Sequence, residues 1–420
     1  ININNIKNLE KKVDFISNSS LDAYNKVYNK KSIKSFLPKL NTLRGKYSNF
    51  HYPLSINTWD YKEIQAINEV TLSQNFTMGK NVKEFEKKFA AYIGSKYAVM
   101  VNSGSSANLL MIASLVLNKE VDLKEGDEVI VPTLSWATTY SPLQQYKLKA
   151  RFVDINLNTL NIDEEKITNA ITKNTKAIFA VNVLGNPSKL GVLKKICKDY
   201  KLLLIEDNCE SLGAKYNNTF CGTHGEMGSF SFYFSHHIHT IEGGMIVTNN
   251  ESLYQYCLSL RAHGWVRDLP DKNVLFEKNG NNFEDSFMFV LPGYNLRPSE
   301  INGRIGIEQL DKVPKIISQR RKNAKIFREL FLNSNIVNIQ KETHKSSWFG
   351  FSIILKGRLK NKRQHVLNKL KENKIETRPI ISGNFLKYPV INYMDYSVYG
   401  DLKNSDEVDN NGFFIGNNHI

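Results

Sequence analysis

From Tyr52 onward the chain alternates short apolar runs with stretches of helical periodicity. The runs Tyr97–Val101, Glu128–Val131, Ala150–Ile155, Ala177–Val183, Leu202–Glu206, Ser229–Tyr233 and Met245–Thr248 read as strands by length and apolar content. Between several of them, apolar positions recur at three- and four-residue spacing, notably over Ala107–Leu117, Asp163–Ile171 and Leu190–Tyr200, which predicts helices. Two further amphipathic helices, Trp59–Leu72 and Val82–Ile93, are expected before the first strand. Apolar strands alternating with helices predict an α/β domain around a mostly parallel seven-stranded sheet. Ligands of such sheets sit at the carboxyl ends of the strands.

The pattern changes toward both ends. Residues 251 to 300 read as a helix and a long loop rich in Asn, Gly and Pro, and Pro298–Leu332 as mostly helical. From Trp348 a smaller α+β unit is expected: strand Phe349–Leu355, basic helix Lys362–Asn373, strand Thr377–Ile381. Residues 1–48 are rich in Asn, Lys and Ser. The predicted organisation is therefore a basic N-terminal extension (1–48) without an assigned role, a large domain (49–300) and a smaller C-terminal α+β domain (301–420).

Charge and composition exclude more than they identify. The 56 Lys/Arg against 41 Asp/Glu give a net +15. Residues 1–48 carry ten of those cations against three acids, which is +7 of the excess. No nucleic-acid motif accompanies them, so a solvated basic surface is expected and no nucleic-acid partner. No apolar run approaches the roughly 18 residues of a membrane span, and no apolar segment precedes a small-residue cleavage site near the N-terminus. Four scattered cysteines (Cys197, Cys209, Cys221, Cys257) without a CxxC pair argue against a disulfide framework or a zinc site and suit a reducing cytoplasm.

Four stretches place polar residues at predicted strand ends. Asn102-Ser103-Gly104-Ser105-Ser106 follows a strand and opens a helix, where small residues and free N–H groups favour a phosphate; an ordinary Ser-rich helix cap has the same composition. Asp207 ends the run Leu202–Glu206, where a carboxylate wants a cation or a protonated ring nitrogen; a lysine would serve equally. Trp136, in PTLSWATT after Glu128–Val131, can stack on a planar ring or fill the core. The fourth stretch, SFSFYFSHHIHTIEGG from Ser229 to Gly244, reads as a strand, a loop holding His236, His237 and His239, and a glycine pair at which the chain turns sharply. Together these residues offer what a pyridoxal-type cofactor requires.

At this point the chain resembles the DegT-like sugar-nucleotide aminotransferases, pyridoxal phosphate proteins of fold type I, from about Tyr52 to the end. FTMGKNVKEFE, NSGSSANLL, EDNCESLGA, GSFSFYF, the EGG turn, PGYNLRP and ETRPI carry the resemblance. It implies that Gly104, Ser105 and Ser231 hold the cofactor phosphate, that Trp136 stacks on the ring, that Asp207 pairs with its nitrogen, and that Glu210 lies near the ring. It also implies that Asn295 reaches the phosphate from the neighbouring subunit of a homodimer with shared active sites. Thr77, Met78, His263, Arg297 and Arg378 are candidate substrate residues.

The informative departure is at His236. The family's cofactor-binding lysine lies six residues before the acid of the EGG turn; counting back from Glu242 gives His236, and no lysine occurs from Asn217 to Gly244. Histidine cannot form the internal Schiff base that tethers the aldehyde. The subgroup sharing this change removes the C3 hydroxyl of a 4-keto sugar nucleotide, with a non-covalent pyridoxal/pyridoxamine phosphate and with His236 as the base. One branch needs an iron–sulfur cluster; only Cys257 lies downstream of the EGG turn, too few thiolates to build one. The other, which SHHIHTIEGG, LRAHGW and SSWFGFS resemble, acts on GDP-4-keto-6-deoxy-D-mannose toward a colitose-type dideoxysugar of lipopolysaccharide O-antigen, with L-glutamate regenerating the amine. Two alternatives stand beside it: a perosamine-type aminotransferase using another lysine, and a non-catalytic relative that binds sugar nucleotide.

Overall fold

The computed structural model describes residues 50–419; the basic extension 1–48 lies outside them. Its strands are Tyr97–Val101 (β1), Glu128–Pro132 (β2), Lys149–Val153 (β3), Thr175–Val181 (β4), Leu203–Asp207 (β5), the hairpin Lys215–Tyr216 (β6) and Thr219–Phe220 (β7), Met227–Ser231 (β8), Gly244–Thr248 (β9), Val337–Ile339 (β10), Gly350–Leu355 (β11), Thr377–Arg378 (β12), Tyr396–Tyr399 (β13) and Gly412–Gly416 (β14). The main sheet has the order β1-β9-β8-β5-β4-β2-β3-β13. Within it β9 runs against its neighbours, pairing antiparallel with both β1 and β8, while the other pairs are parallel.

All seven predicted strands are present, and β13 adds an eighth, parallel to β3 with Tyr396 opposite Ala150. Its sequence, YSVY, is short, half exposed and far downstream of the alternating region, so it carries no core-strand signal. The inner strands are apolar throughout because both faces are covered. Val129 and Val131 enter one core with the helices Gly104–Leu117, Ala137–Gln145 and Glu251–Arg261. Ile130, between them, enters the opposite core with Glu164–Ala170 and Leu190–Tyr200. The helix Gly104–Leu117 is apolar nearly all round, and nine of its 14 residues are buried, which fixes its first turn firmly against the sheet.

A second, antiparallel sheet, β10-β11-β14-β12, carries the C-terminal unit. The helices Val313–Phe331 and Arg363–Glu372 cover it through Phe327, Val366, Leu367 and Leu370. Among the described residues no helix is long and apolar enough to cross a membrane.

The loop between β8 and β9 departs from expectation in one respect. Its left-handed residue is Ile241 (φ 74°), not a glycine. Gly244 is required for a different reason: a Cβ there would lie 2.2 Å from the Ser103 carbonyl oxygen. The glycine lets the start of β9 pack directly against the turn that opens the helix Gly104–Leu117.

Candidate active site

A cavity of about 740 Å³ opens at the carboxyl ends of the parallel strands. Gly104 and Ser105 reach it from the turn after β1, Trp136 from the turn after β2, Asp207 and Glu210 from the end of β5, Ser231 from the end of β8, and His236 from the loop beyond. Arg378, on β12 of the second sheet, closes one wall. Eight of the thirteen residues singled out from the sequence thus line one space.

One end of the cavity is built for an anion. Ser103 caps the helix Gly104–Leu117, its hydroxyl accepting from the Ser106 N–H at 3.1 Å. The N–H groups of Gly104 and Ser105 fall in the first helical turn, where no intrahelical acceptor exists. The turn lies so close to β8 that a Cβ on Gly104 would stand 2.5 Å from Ser231 Cβ. Free N–H groups, two serine hydroxyls and the positive end of a helix dipole therefore converge.

Asp207 is 6% exposed, and no lysine or arginine forms a salt bridge with it among the described residues. Its Oδ2 accepts from Asn108 Nδ2 and Thr139 Oγ1, each at 2.8 Å, and its Oδ1 accepts from the Cys209 N–H at 3.1 Å. A buried carboxylate held by hydrogen bonds alone suits a cationic ring nitrogen. Trp136, the residue before the helix Ala137–Gln145, is 60% exposed within the cavity, so it is not a core tryptophan. The Glu210 carboxyl accepts from the Leu184 N–H at 3.0 Å, and burial pushes its pKa up to about 7. Burial also raises the Cys209 thiol, with the Asp207 charge adding to it, which leaves that sulfur protonated and unreactive. The anion cradle, the carboxylate without a cationic partner and the exposed indole fit pyridoxal phosphate.

His236 stands partly buried between Tyr233 and Phe349, edge-on to both, at 6.0 and 5.3 Å between ring centres. Its Nδ1 lies 3.2 Å from the Ser231 carbonyl oxygen. A carbonyl only accepts, so Nδ1 carries the proton and Nε2 keeps its lone pair. Burial lowers the pKa to about 4, a fall to which Arg320 contributes and which the Ser231 carbonyl and Asp207 oppose. A free imidazole titrates near neutrality; here the ring is neutral well below pH 7. Among the described residues no lysine lines the cavity.

His237 and His239 are buried, at 1% and 4% exposure, and belong to the scaffold. His237 Nε2 faces the Ser347 carbonyl at 3.4 Å, while His239 stacks on Trp59 and meets Asn57 Oδ1 at 2.9 Å. They anchor the loop that presents His236.

The other five predicted residues lie outside this cavity and gather on a second surface. The His263 N–H donates to the Tyr294 carbonyl, and Arg297 Nε donates to Asn295 Oδ1 at 3.0 Å. His263 packs against Trp265, whose ring also faces Arg297. Thr77 bridges to Ser299, which places Thr77 and Met78 beside the same segment. Sequence reasoning missed Asn108 because its helical neighbours carry the apolar signal, and Thr139 because its short polar helix, ATTYSPLQQ, carries no periodic signal.

The chain belongs to the DegT/DnrJ/EryC1/StrS aminotransferase family, whose pattern matches residues 57–417. Within it, the chain is 53% identical over 372 residues to the GDP-4-keto-6-deoxy-D-mannose 3-dehydratase of Yersinia pseudotuberculosis, covering 88% of this chain and 95% of that one. The Escherichia coli enzyme of the same name, solved with bound hydrated PLP, superposes with a TM-score of 0.87 at 52% identity, over 88% of this chain and 96% of that one. A further solved structure, of GDP-4-keto-6-deoxymannose-3-dehydratase with a trapped PLP-glutamate geminal diamine, gives 0.86 at 53% identity, over the same shares of the two chains.

Proposed function

We propose that this chain is a pyridoxal phosphate-dependent 3-dehydratase that removes the C3 hydroxyl of GDP-4-keto-6-deoxy-D-mannose, with L-glutamate as amino donor. The observation that carries the reading is a single cavity in which Gly104, Ser105, Trp136, Asp207 and Ser231 meet His236 and which no lysine among the described residues lines; by the family resemblance, His236 stands where the tethering lysine would lie. The same observation speaks against the aminotransferase alternative, because no lysine among the described residues reaches the cavity. The relatives' GDP-sugar substrate and glutamate adduct support the choice of substrates.

In this reading Gly104, Ser105 and Ser231 hold the phosphate, Trp136 covers one ring face, and Asp207 accepts from the ring nitrogen. Bound as pyridoxamine phosphate, the cofactor supplies an amine for the C4 ketone and a cationic ring that draws electrons. His236 Nε2 is the atom that takes up a proton and returns one to the departing C3 oxygen, which leaves as water. Its proton-bearing Nδ1 stays fixed on the Ser231 carbonyl, so the base is aligned with the phosphate-binding strand. Arg378 at the wall suits a carboxylate or phosphate of the substrates. The products are the 4-keto-3,6-dideoxy sugar nucleotide and ammonia, with 2-oxoglutarate released when the amine is restored.

A homodimer is part of the proposal. Thr77, Met78, His263, Asn295 and Arg297 do not line their own chain's cavity, and for Asn295 that is the expectation for a residue serving the partner's. Phe283, Phe287 and Phe289 are more than half exposed, and Phe289 packs on Trp265 of the same surface; a second copy would cover them. A cytoplasmic site of action is supported by four cysteines that are all unpaired thiols.

The direct test incubates the protein with GDP-4-keto-6-deoxy-D-mannose, pyridoxamine phosphate and L-glutamate, following 2-oxoglutarate and the dideoxy sugar. Absence of both overturns the assignment.

A further inference from the structure

The two helices that border the cofactor cradle each carry a second polar residue one turn inward. In Gly104–Leu117, Gly104 opens the anion cradle and Asn108 follows four residues later. Before and within Ala137–Gln145, Trp136 faces the cavity and Thr139 follows three residues later. Both inner residues are fully buried, and both reach the same atom, Asp207 Oδ2, at 2.8 Å.

The directions of these bonds are fixed by chemistry. An ionised carboxylate only accepts, so the Thr139 hydroxyl donates to Asp207 and must in turn accept from Ser135 Oγ, 2.7 Å away. Ser135 is itself held through its carbonyl, which accepts from the Ser382 hydroxyl of the C-terminal unit. The Asn108 amide donates to Asp207 Oδ2 and to the Thr138 carbonyl at 3.3 Å; both partners are acceptors, which fixes its NH₂ toward them. Each carboxylate oxygen offers about two acceptor sites. Oδ2 has both filled. Oδ1 has one filled by the Cys209 N–H and one left.

We propose that Asn108 and Thr139 are positioning residues that saturate Asp207 Oδ2 and leave a single acceptor site, on Oδ1, for the ring nitrogen of the cofactor. The pairing couples three contacts rigidly. The helix that binds the phosphate and the helix that stacks on the ring each also clamp the acid beneath the ring nitrogen. Loss of a donor would let the carboxylate rotate and would weaken its anionic form, so the ring nitrogen would hold its proton less firmly. This inference rests on the cofactor reading given above.

The test uses Thr139→Val, which keeps the shape and removes the donor, with Thr139→Ser as the conservative rescue and Asn108→Leu as an independent second variant. Two readouts are taken besides turnover: the dissociation constant of pyridoxamine phosphate, and the pH at which the bound cofactor's absorption band shifts as its ring nitrogen deprotonates. For Thr139→Val we expect roughly tenfold weaker cofactor binding, the scale of one hydrogen bond to a charged group. We also expect the deprotonation to move to lower pH, and kcat to fall with little change in KM for the GDP-sugar. Thr139→Ser should restore all three. Unchanged binding and titration in both Thr139→Val and Asn108→Leu would overturn the proposal, as would a Thr139→Ser variant as impaired as Thr139→Val, which would point to packing. A wild-type protein that binds no pyridoxamine phosphate would overturn the cofactor reading itself, a result distinct from equal binding by wild type and variants.

Discussion

The neutrality of His236 can be tested through stability, independently of turnover. Free histidine titrates near 6.5, whereas burial holds the folded ring at about 4. Between those values the unfolded chain binds a proton that the native chain does not, so native stability must fall as pH drops. The contribution of the neutral ring is complete above pH 6.5, declines from there toward pH 4, and is constant below. Each pH unit between the two values is worth about 1.4 kcal/mol, so the full loss is about 3 kcal/mol and the loss at pH 5 about 2 kcal/mol. These are upper figures, because His236 is only partly buried and lines an open cavity. The perturbation is His236→Asn, which removes the titrating group. Urea unfolding of the cofactor-free wild type and variant, followed by circular dichroism at pH 7.5 and pH 5, gives the double difference. The variant should gain up to about 2 kcal/mol relative to wild type on going to pH 5. His237, also buried and held well below its ordinary pKa, is present in both proteins and largely cancels. Equal pH dependence in the two proteins would show that His236 titrates as a solvated ring, and it would then not be a base available throughout the physiological range.

Three further outcomes are expected. Gly104→Ala would place a Cβ 2.5 Å from Ser231 Cβ, more than 1 Å inside contact; the cradle must open, and pyridoxamine phosphate affinity, read by fluorescence titration, should fall by about a hundredfold. His236→Lys should abolish dehydration, measured as dideoxy sugar formed, since an amine there can capture the aldehyde form; dehydration at the wild-type rate would exclude His236 as the base. The Glu210 carboxyl, raised to about 7, is protonated below that pH and becomes an anion above it, adding negative charge to a cavity that binds a phosphate. Cofactor affinity should therefore decline from pH 6 to pH 8, and Glu210→Gln, which stays neutral, should flatten that decline while remaining within about threefold of wild type at pH 6.

What the sequence shows of this site follows from where each signal comes from. Most strands are legible because covered faces demand unbroken apolar runs, and Asp207 stands out by following such a run, whereas Ser231 lies within the predicted strand Ser229–Tyr233 and only the structure places it at a strand end. Trp136 is ambiguous in the sequence, since a core tryptophan has the same neighbours; only its exposure inside the cavity separates the two readings. Asn108 and Thr139 are hidden for the opposite reason. Asn108 lies inside a helix whose signal is set by apolar residues, Thr139 lies in a short polar helix that carries no periodic signal, and the partner of both is brought to them by the sheet. Likewise the eighth strand becomes a strand only because β3 presents a free edge. Gly244 is legible as a constrained position but not as to its cause, which is contact with the Ser103 carbonyl.

If His236 stands in place of a tethering lysine, as proposed, the site must hold its cofactor by preformed contacts. A covalent tether holds a cofactor even in a loose pocket; without one, every contact must be made by groups already in place, since ordering them on binding would subtract from affinity. The structure meets this demand from three sides. Gly104 and Gly244 bring the helix turn, β8 and β9 to distances that no side chain would permit. Asp207 is fixed by three donors rather than by a mobile lysine. His236 is held at its Nδ1 and wedged between Tyr233 and Phe349, while His237 and His239, buried behind it, pin its loop to the scaffold. The same burial that positions the ring keeps it neutral, so in the proposed reading a residue without a tether offers a lone pair available at every physiological pH.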